Sequence, residues 1–251
     1  MTETLSFPEF LSLVDDRSAA LRDAVAAASD LEARVPGCPE WSLRDLVAHL
    51  GEVQRFWSVV VRAGTADGPP PSDAVGDTQP HGDLLEWSAE STRLLLAALG
   101  EVGPDAAAWT WWGVSDAPMT AGAVARHQVE EAAVHAYDAQ ETSGKPEPIP
   151  ATVAADGVAE FLQVTFGSEG PWPHRPARVV FAAIEGPSWT LDLTPADAKL
   201  DPSEGGDAVA TVHGTASDIL LALFGRVPLD RLRIDGDGAV VEDLRNWADT
   251  Q

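Results

Sequence analysis

What this 251-residue chain lacks narrows its chemistry before anything else does. Its single cysteine, Cys38, excludes an internal disulfide and any zinc site built from several thiolates. Cys38 stands in "VPGCPEWS", a segment read as a loop between two helical patterns, where a packing role is expected rather than a nucleophilic one. Basic residues are also scarce: 16 Lys and Arg face 40 Asp and Glu, for a net charge of −24. Such a chain is repelled by phosphate backbones and anionic lipid, so neither nucleic acid nor a membrane is expected as a partner. An anionic substrate would need a local basic pocket inside a globally repulsive field. No apolar run approaches the ~20 residues of a membrane span. "MTETLSFPEF" has neither the basic start nor the apolar stretch of a signal peptide, and a cytoplasmic, monomeric protein is expected. Neither H-E-x-x-H nor a glycine-rich phosphate loop occurs, and there is no internal repeat.

What is present is an ordinary apolar fraction of 45%, enough for a real core. Residues 8–34 carry Phe10, Leu13, Val14, Leu21 and Val25 at helical spacing. A second helix opens at "WSLRDLVAHLGEVQRFWSVVVRAG", where Ser42 and Asp45 have the spacing of a capping box and Trp41 the place of a staple. Residues 65–82, rich in proline, glycine and aspartate, predict a linker without regular structure. A third helix over 83–100 and a fourth from Thr120 to Gly144 complete a four-helix bundle over residues 1–144. Between them Trp109, Trp111 and Trp112 read either as the wall of a pocket for an aromatic electrophile or as a plug packing two domains together.

The pattern changes after "KPEPIPA". A helix, a hairpin from "ARVVFAAI" and "SWTLDLT", a third strand, a helix, a fourth strand and a closing helix follow. They predict a smaller α+β domain over 152–251.

The most informative stretch is "RHQVEEAAVHAYDAQ", residues 126–140. At helical spacing Val124, His127, Gln128, Glu131, His135 and Asp138 share one face. That face is either the wet side of the fourth helix or the wall of a metal site. Glu131 and His135 stand four apart, about 6 Å along the axis, and can converge on one cation. His127 lies about 12 Å from His135 and cannot easily reach the same ion. A third ligand has to come from another helix, and His49, at the edge of the second helix's apolar stripe, is available. Taken alone, a histidine there is more often a hydrogen-bonded core residue.

"CPEWSLRDLVAHLGEV", "EEAAVHAYDAQETSGKPEPI" and "GTASDILLALFGRVPLDRLRIDGD" together resemble the mycothiol-dependent maleylpyruvate isomerase family. The resemblance implies an α+β, two-domain protein: a DinB-like four-helix bundle, then a small α+β domain with a faint likeness to sterol-carrier folds. It implies metal ligands at His49, Glu131 and His135, and a functional arginine at Arg226 in "LFGRVPLD". It further implies a divalent metal, zinc by expectation, and mycothiol as the thiol that attacks an electrophilic small molecule. The expected reaction is cis–trans isomerisation. S-transfer or thiol exchange by the same site, and a non-catalytic metal- or ligand-binding protein, are the alternatives. Where family members often have histidine before the ligand glutamate, this chain has Glu130. His127 reads as a partner of Glu131.

Overall fold

The computed structural model describes residues 5–201 and 206–248. The protein is two-domain α+β, with a helical N-terminal part and a sheet-containing C-terminal part. Contacts divide it into two compact units: Leu5–Trp111 with Pro118–Glu147, and Trp112–Ala117 with the chain from Pro148 onward.

The first unit begins with α1 (Phe7–Ala26), whose Ser6 and Glu9 cap each other across the first turn. Phe10, Val14, Leu21 and Val25 form its buried stripe. The helix stops eight residues short of the expectation at 34. Its successors are used elsewhere: the Leu31 and Ala33 carbonyls accept from the Arg44 and Leu43 amides, and Asp30 accepts from Glu32 N. Those bonds compete with helix continuation. The expected loop around Cys38 is a small hairpin, β1 (Arg34–Val35) with β2 (Cys38–Ser42). The predicted capping box is present: Ser42 Oγ accepts from Asp45 N, and the Asp45 carboxylate accepts from Ser42 N.

Helix α2 (Leu43–Ala63) follows directly. The proline-rich linker is not wholly irregular, because Ser72–Val75 makes one helical turn, α3, bounded by Pro71 and Gly76. Next come α4 (Leu84–Val102), which runs past Gly100 to Gly103, and α5 (Ala121–Thr142), capped by Thr120 as expected. Each long helix packs on two others in the cyclic order α1, α5, α2, α4. Gly51 of α2 lets the Trp87 ring of α4 approach so closely that a Cβ would sit 2.1 Å from it. Inside, the Gln54 amide donates to Ser18 Oγ (2.9 Å) and accepts from Thr92 Oγ1 (2.9 Å), joining three helices through one satisfied polar residue.

In the second unit α6 (Ala151–Ser168) precedes β3 (Ala177–Ala183) and β4 (Ser188–Leu193), which pair antiparallel as the hairpin reading requires. A short β5 (Ala198–Asp201), not anticipated, adds to β4. Then β6 (Ala210–Gly214), α7 (Ala216–Leu223), the 3-10 turn Leu229–Arg231, β7 (Arg233–Gly236) and α8 (Gly238–Trp247) complete the unit. The sheet order is β5-β4-β3-β6-β7, with β3 and β6 parallel and the other described pairs antiparallel. Val179, Phe181, Leu191, Leu193 and Val212 alternate onto its buried face, and α7 lies against β3 and β6. On β3's other face Arg178 forks onto Asp192 (2.6 and 2.7 Å) and also reaches Asp201 (2.6 Å). Gly236, at φ +101°, passes the Val209 carbonyl where a side chain could not follow.

Candidate metal centre and adjoining cavity

Helix α5 is buried almost all round, and that decides the question its polar face raises. Gln128 and Asp138 are fully buried and His135 is nearly so. The face does not simply meet water. Small residues make room for this: Ala132, Ala136 and Ala139 let α5 settle against Leu43, Leu46, Val47 and Leu50 of α2. The fit of those two helices sets His49 opposite Glu131.

His49 Nε2 lies 3.0 Å from Glu131 Oε1, and His135 Nε2 lies 3.3 Å from the same oxygen. Two imidazole nitrogens from different helices therefore aim at one carboxylate atom. One donor atom from each of His49, Glu131 and His135 lies within 4.8 Å of the others. Donors held ~2.0–2.1 Å from one tetrahedral ion stand roughly 3.4 Å apart, so the set fits a divalent ion with little rearrangement.

Two neighbours steady it. Asp138 Oδ2 takes a hydrogen bond from His135 Nδ1 at 2.9 Å, which turns Nε2 toward the triad, where it donates to Glu131 while the ring is protonated and presents its lone pair once the ring is neutral. The Trp41 ring lies 4.5 Å from the His49 ring and 5.9 Å from that of His135. The residue placed as a helix staple thus walls the site. For Glu131, burial favours the neutral carboxyl, but the charge of His135 and hydrogen bonds from both imidazoles outweigh it and hold the group well below the usual carboxylate range. For His135, burial disfavours the cation, yet the Glu131 and Asp138 carboxylates overcome it and push the imidazole up to about 9. Glu131 and His135 thus form a tight ion pair.

His127, two turns earlier, has other neighbours. Its ring lies edge-on to Trp57 (6.2 Å) and Trp111 (5.8 Å), and Nδ1 stands 4.0 Å from the buried Glu130 carboxylate. With Glu131 it borders a cavity of about 610 Å³, a volume usual for small-molecule sites. Phe56 and Trp57 of α2, with Trp111, supply aromatic walls, and Pro69, Pro70 and Val75 of the proline-rich segment close another side. Thr78 Oγ1 donates to Glu52 Oε1 at 3.0 Å and ties that segment to α2. Trp109 stacks beside Trp57 at 6.4 Å, and Trp112 is fully buried.

Arg226 lies in the second unit, just past α7. Its Nη1 donates to the Phe224 carbonyl at 2.8 Å, and its guanidinium sits 5.9 Å from the Phe224 ring. Cys38 is half-buried at the start of β2. Sequence reasoning did not assign Asp138 as the orienting partner of His135, although their i, i+3 spacing was a usable signal. It also missed that residues 69–78 wall a cavity, for which composition offers no signal.

A helical bundle with a two-histidine, one-carboxylate set beside a cavity, followed by a sheet domain, defines a class of two-domain proteins with a candidate metal centre in the bundle. Residues 11–140 match the family described as "Mycothiol maleylpyruvate isomerase N-terminal domain", and residues 152–243 match the "MDMPI C-terminal domain". The chain belongs to the mycothiol maleylpyruvate isomerase family. Among solved structures it is similar to the mycothiol-dependent maleylpyruvate isomerase, with TM-score 0.61 and 17% identity over 92% of this chain and 93% of that one. A histidine-to-alanine mutant of the mycothiol-dependent maleylpyruvate isomerase gives TM-score 0.61 and 16% identity over the same shares. Comparison with curated proteins gave no match. Among the described residues no helix is long and apolar enough to cross a membrane.

Proposed function

We propose that this protein is a mycothiol-dependent metalloenzyme that adds the thiol sulfur to an electrophilic small molecule, with His49, Glu131 and His135 as metal ligands. The observation that carries the reading is the convergence of both Nε2 atoms on Glu131 Oε1, beside a cavity that Glu131 itself borders. A divalent ion such as zinc, which His49, Glu131 and His135 would hold, would supply the acidity that keeps a bound thiol ionised at neutral pH. The chain's own contribution is placement. Asp138 fixes the tilt of His135, Trp41 limits the swing of both rings, and the aromatic walls give a substrate apolar surface to lie against. A borrowed thiol also accounts for thiol chemistry in a chain whose only cysteine, Cys38, is not among the cavity's lining residues.

Isomerisation of the maleylpyruvate kind and S-transfer share the first carbon–sulfur bond and differ in whether elimination follows. The cavity favours S-transfer as the second reading, because Glu52 and Glu131 line it and no lysine or arginine does among the described residues. The resemblance gives Arg226 the part of holding a substrate carboxylate, and we carry that role as proposed. The test is turnover of maleylpyruvate and of a neutral conjugated ketone by zinc-loaded protein, with and without mycothiol. The reading requires thiol-dependent turnover of at least one substrate, abolished in Glu131→Ala. Metal uptake without any thiol-dependent turnover would leave a binding protein instead.

A further inference from the structure

We infer that His127 is a catalytic residue: a ring N–H donates a hydrogen bond to the carbonyl oxygen of the electrophile as negative charge gathers there during thiol addition. The role rests on the thiol-adding reading above and holds for isomerisation and S-transfer alike.

Placement points to it first. His127 and Glu131 border the same cavity and stand on the same helix, α5, about one turn apart. Four helical residues span about 6 Å along the axis. In a conjugated ketone attacked at its β-carbon, the incoming sulfur and the carbonyl oxygen lie roughly 4–5 Å apart. A sulfur delivered beside Glu131 therefore leaves that oxygen within reach of the His127 ring. The candidate metal set does not use this side chain, since His49, Glu131 and His135 form it.

The donor is also held ready. Trp57 of α2 and Trp111 both meet the His127 ring edge-on, at 6.2 and 5.8 Å, and limit its rotation. The side chain is only 14% exposed, so little water competes for its N–H, and a hydrogen bond there is stronger than one in solvent. The hydroxyls on the cavity wall are placed differently: Thr78 Oγ1 already donates to Glu52, and Ser72 is exposed on α3. Glu52 and Glu131, when ionised, can only accept.

The step balances within the two reactants. Sulfur bonds to the β-carbon, the electron pair of the double bond moves through the carbonyl onto oxygen, and the hydrogen bond from His127 strengthens as that charge grows. In S-transfer the α-carbon then takes up a proton from solvent, replacing the one the thiol released. In isomerisation the electron pair returns, the carbon–sulfur bond breaks and the thiol leaves. Both routes pass through the same charged oxygen.

The experiment pairs turnover with a signal that needs none. Zinc-loaded wild type, His127→Leu and His127→Gln are assayed with mycothiol and benzylideneacetone, alongside elemental zinc content and calorimetric mycothiol binding. His127→Leu should lose about a hundredfold in kcat, the scale for one missing oxyanion donor, with zinc content and mycothiol Kd within about threefold of wild type. His127→Gln keeps an N–H and should recover about tenfold of that loss. Difference infrared spectroscopy then reads the isotope-labelled carbonyl of benzylideneacetone bound to the same proteins without thiol. Its stretch should lie at lower frequency in wild type than in His127→Leu. An identical carbonyl band in the two, or a kcat in His127→Leu within about threefold of wild type, would overturn the inference and leave thiol addition standing. Rate, zinc content and mycothiol affinity falling together would make His127 a structural residue and overturn it as well. Wild type that turns over neither benzylideneacetone nor maleylpyruvate with mycothiol would overturn the thiol-adding reading itself, and the catalytic assignment would fall with it.

Discussion

The two ends of one face of α5 are built from the same residue types and arrive at opposite environments. At the C-terminal end, His135 has both ring nitrogens committed, Nε2 to Glu131 and Nδ1 to Asp138, and shares its carboxylate with His49. Toward the N-terminus, His127 is edged by Trp57 and Trp111 at the border of the cavity. Each histidine is four residues from Glu131, and His135 shares that carboxylate with His49, presented by a second helix. A histidine's chemistry is thus set by what the facing helix brings, with its own spacing only permitting it.

The sharpest way to break this contrast is to remove one ligand at a time. Glu131→Ala or His135→Ala should weaken zinc at least about a hundredfold, because two remaining donors leave the ion mostly hydrated. His127→Ala should change it less than about threefold. Competition against a chromogenic chelator reads both, and equal losses would mean that the wrong histidine has been assigned. Asp138→Ala keeps all three ligands but frees the His135 ring, so affinity should fall by roughly 10–100-fold, as for other partners of metal-bound histidines.

Next in size is the packing that holds α2 in place. Gly51→Ala puts a Cβ where Trp87 stands 2.1 Å away, and should destabilise the fold by about 1–3 kcal/mol in urea unfolding. A loss of zinc affinity disproportionate to that destabilisation would show that the triad depends on α2 more finely than the contrast assumes. Arg226→Lys sharpens the substrate side. If the arginine grips a carboxylate with two prongs, maleylpyruvate turnover should drop about tenfold while a neutral ketone is spared. Smallest of all, Cys38→Ser should leave thiol-dependent turnover within about twofold, since in the proposed reaction mycothiol and not the chain provides the sulfur. Turnover that needs no added thiol and vanishes in this variant would point to a cysteine nucleophile.

Much of this was legible in the sequence, and for identifiable reasons. Ser42 with Asp45, Thr120, and the stripe from Leu43 to Val60 are local signals, and the helices they predict are present. Glu131 and His135 were readable as a pair because helical spacing fixes i and i+4 as neighbours. His49 was placed by resemblance, since no spacing rule spans the 82 positions between it and Glu131. The premature end of α1 and the hairpin holding Cys38 were misread as helix and loop. Both depend on hydrogen bonds to the first turn of α2, which periodicity within α1 does not report. The cavity was invisible for a similar reason. Its proline-rich wall reads as linker, and only the tertiary contact of Thr78 with Glu52 ties it to the rest.

The central claim is that one divalent ion is held by a ligand set drawn from two helices. Elemental analysis of wild type and of His49→Ala, after identical zinc loading and desalting, tests it most directly. The account predicts about one zinc per chain in the wild type and a small fraction of that in His49→Ala with its helical circular dichroism retained. A full equivalent of zinc in His49→Ala would contradict it, because α5 alone would then suffice.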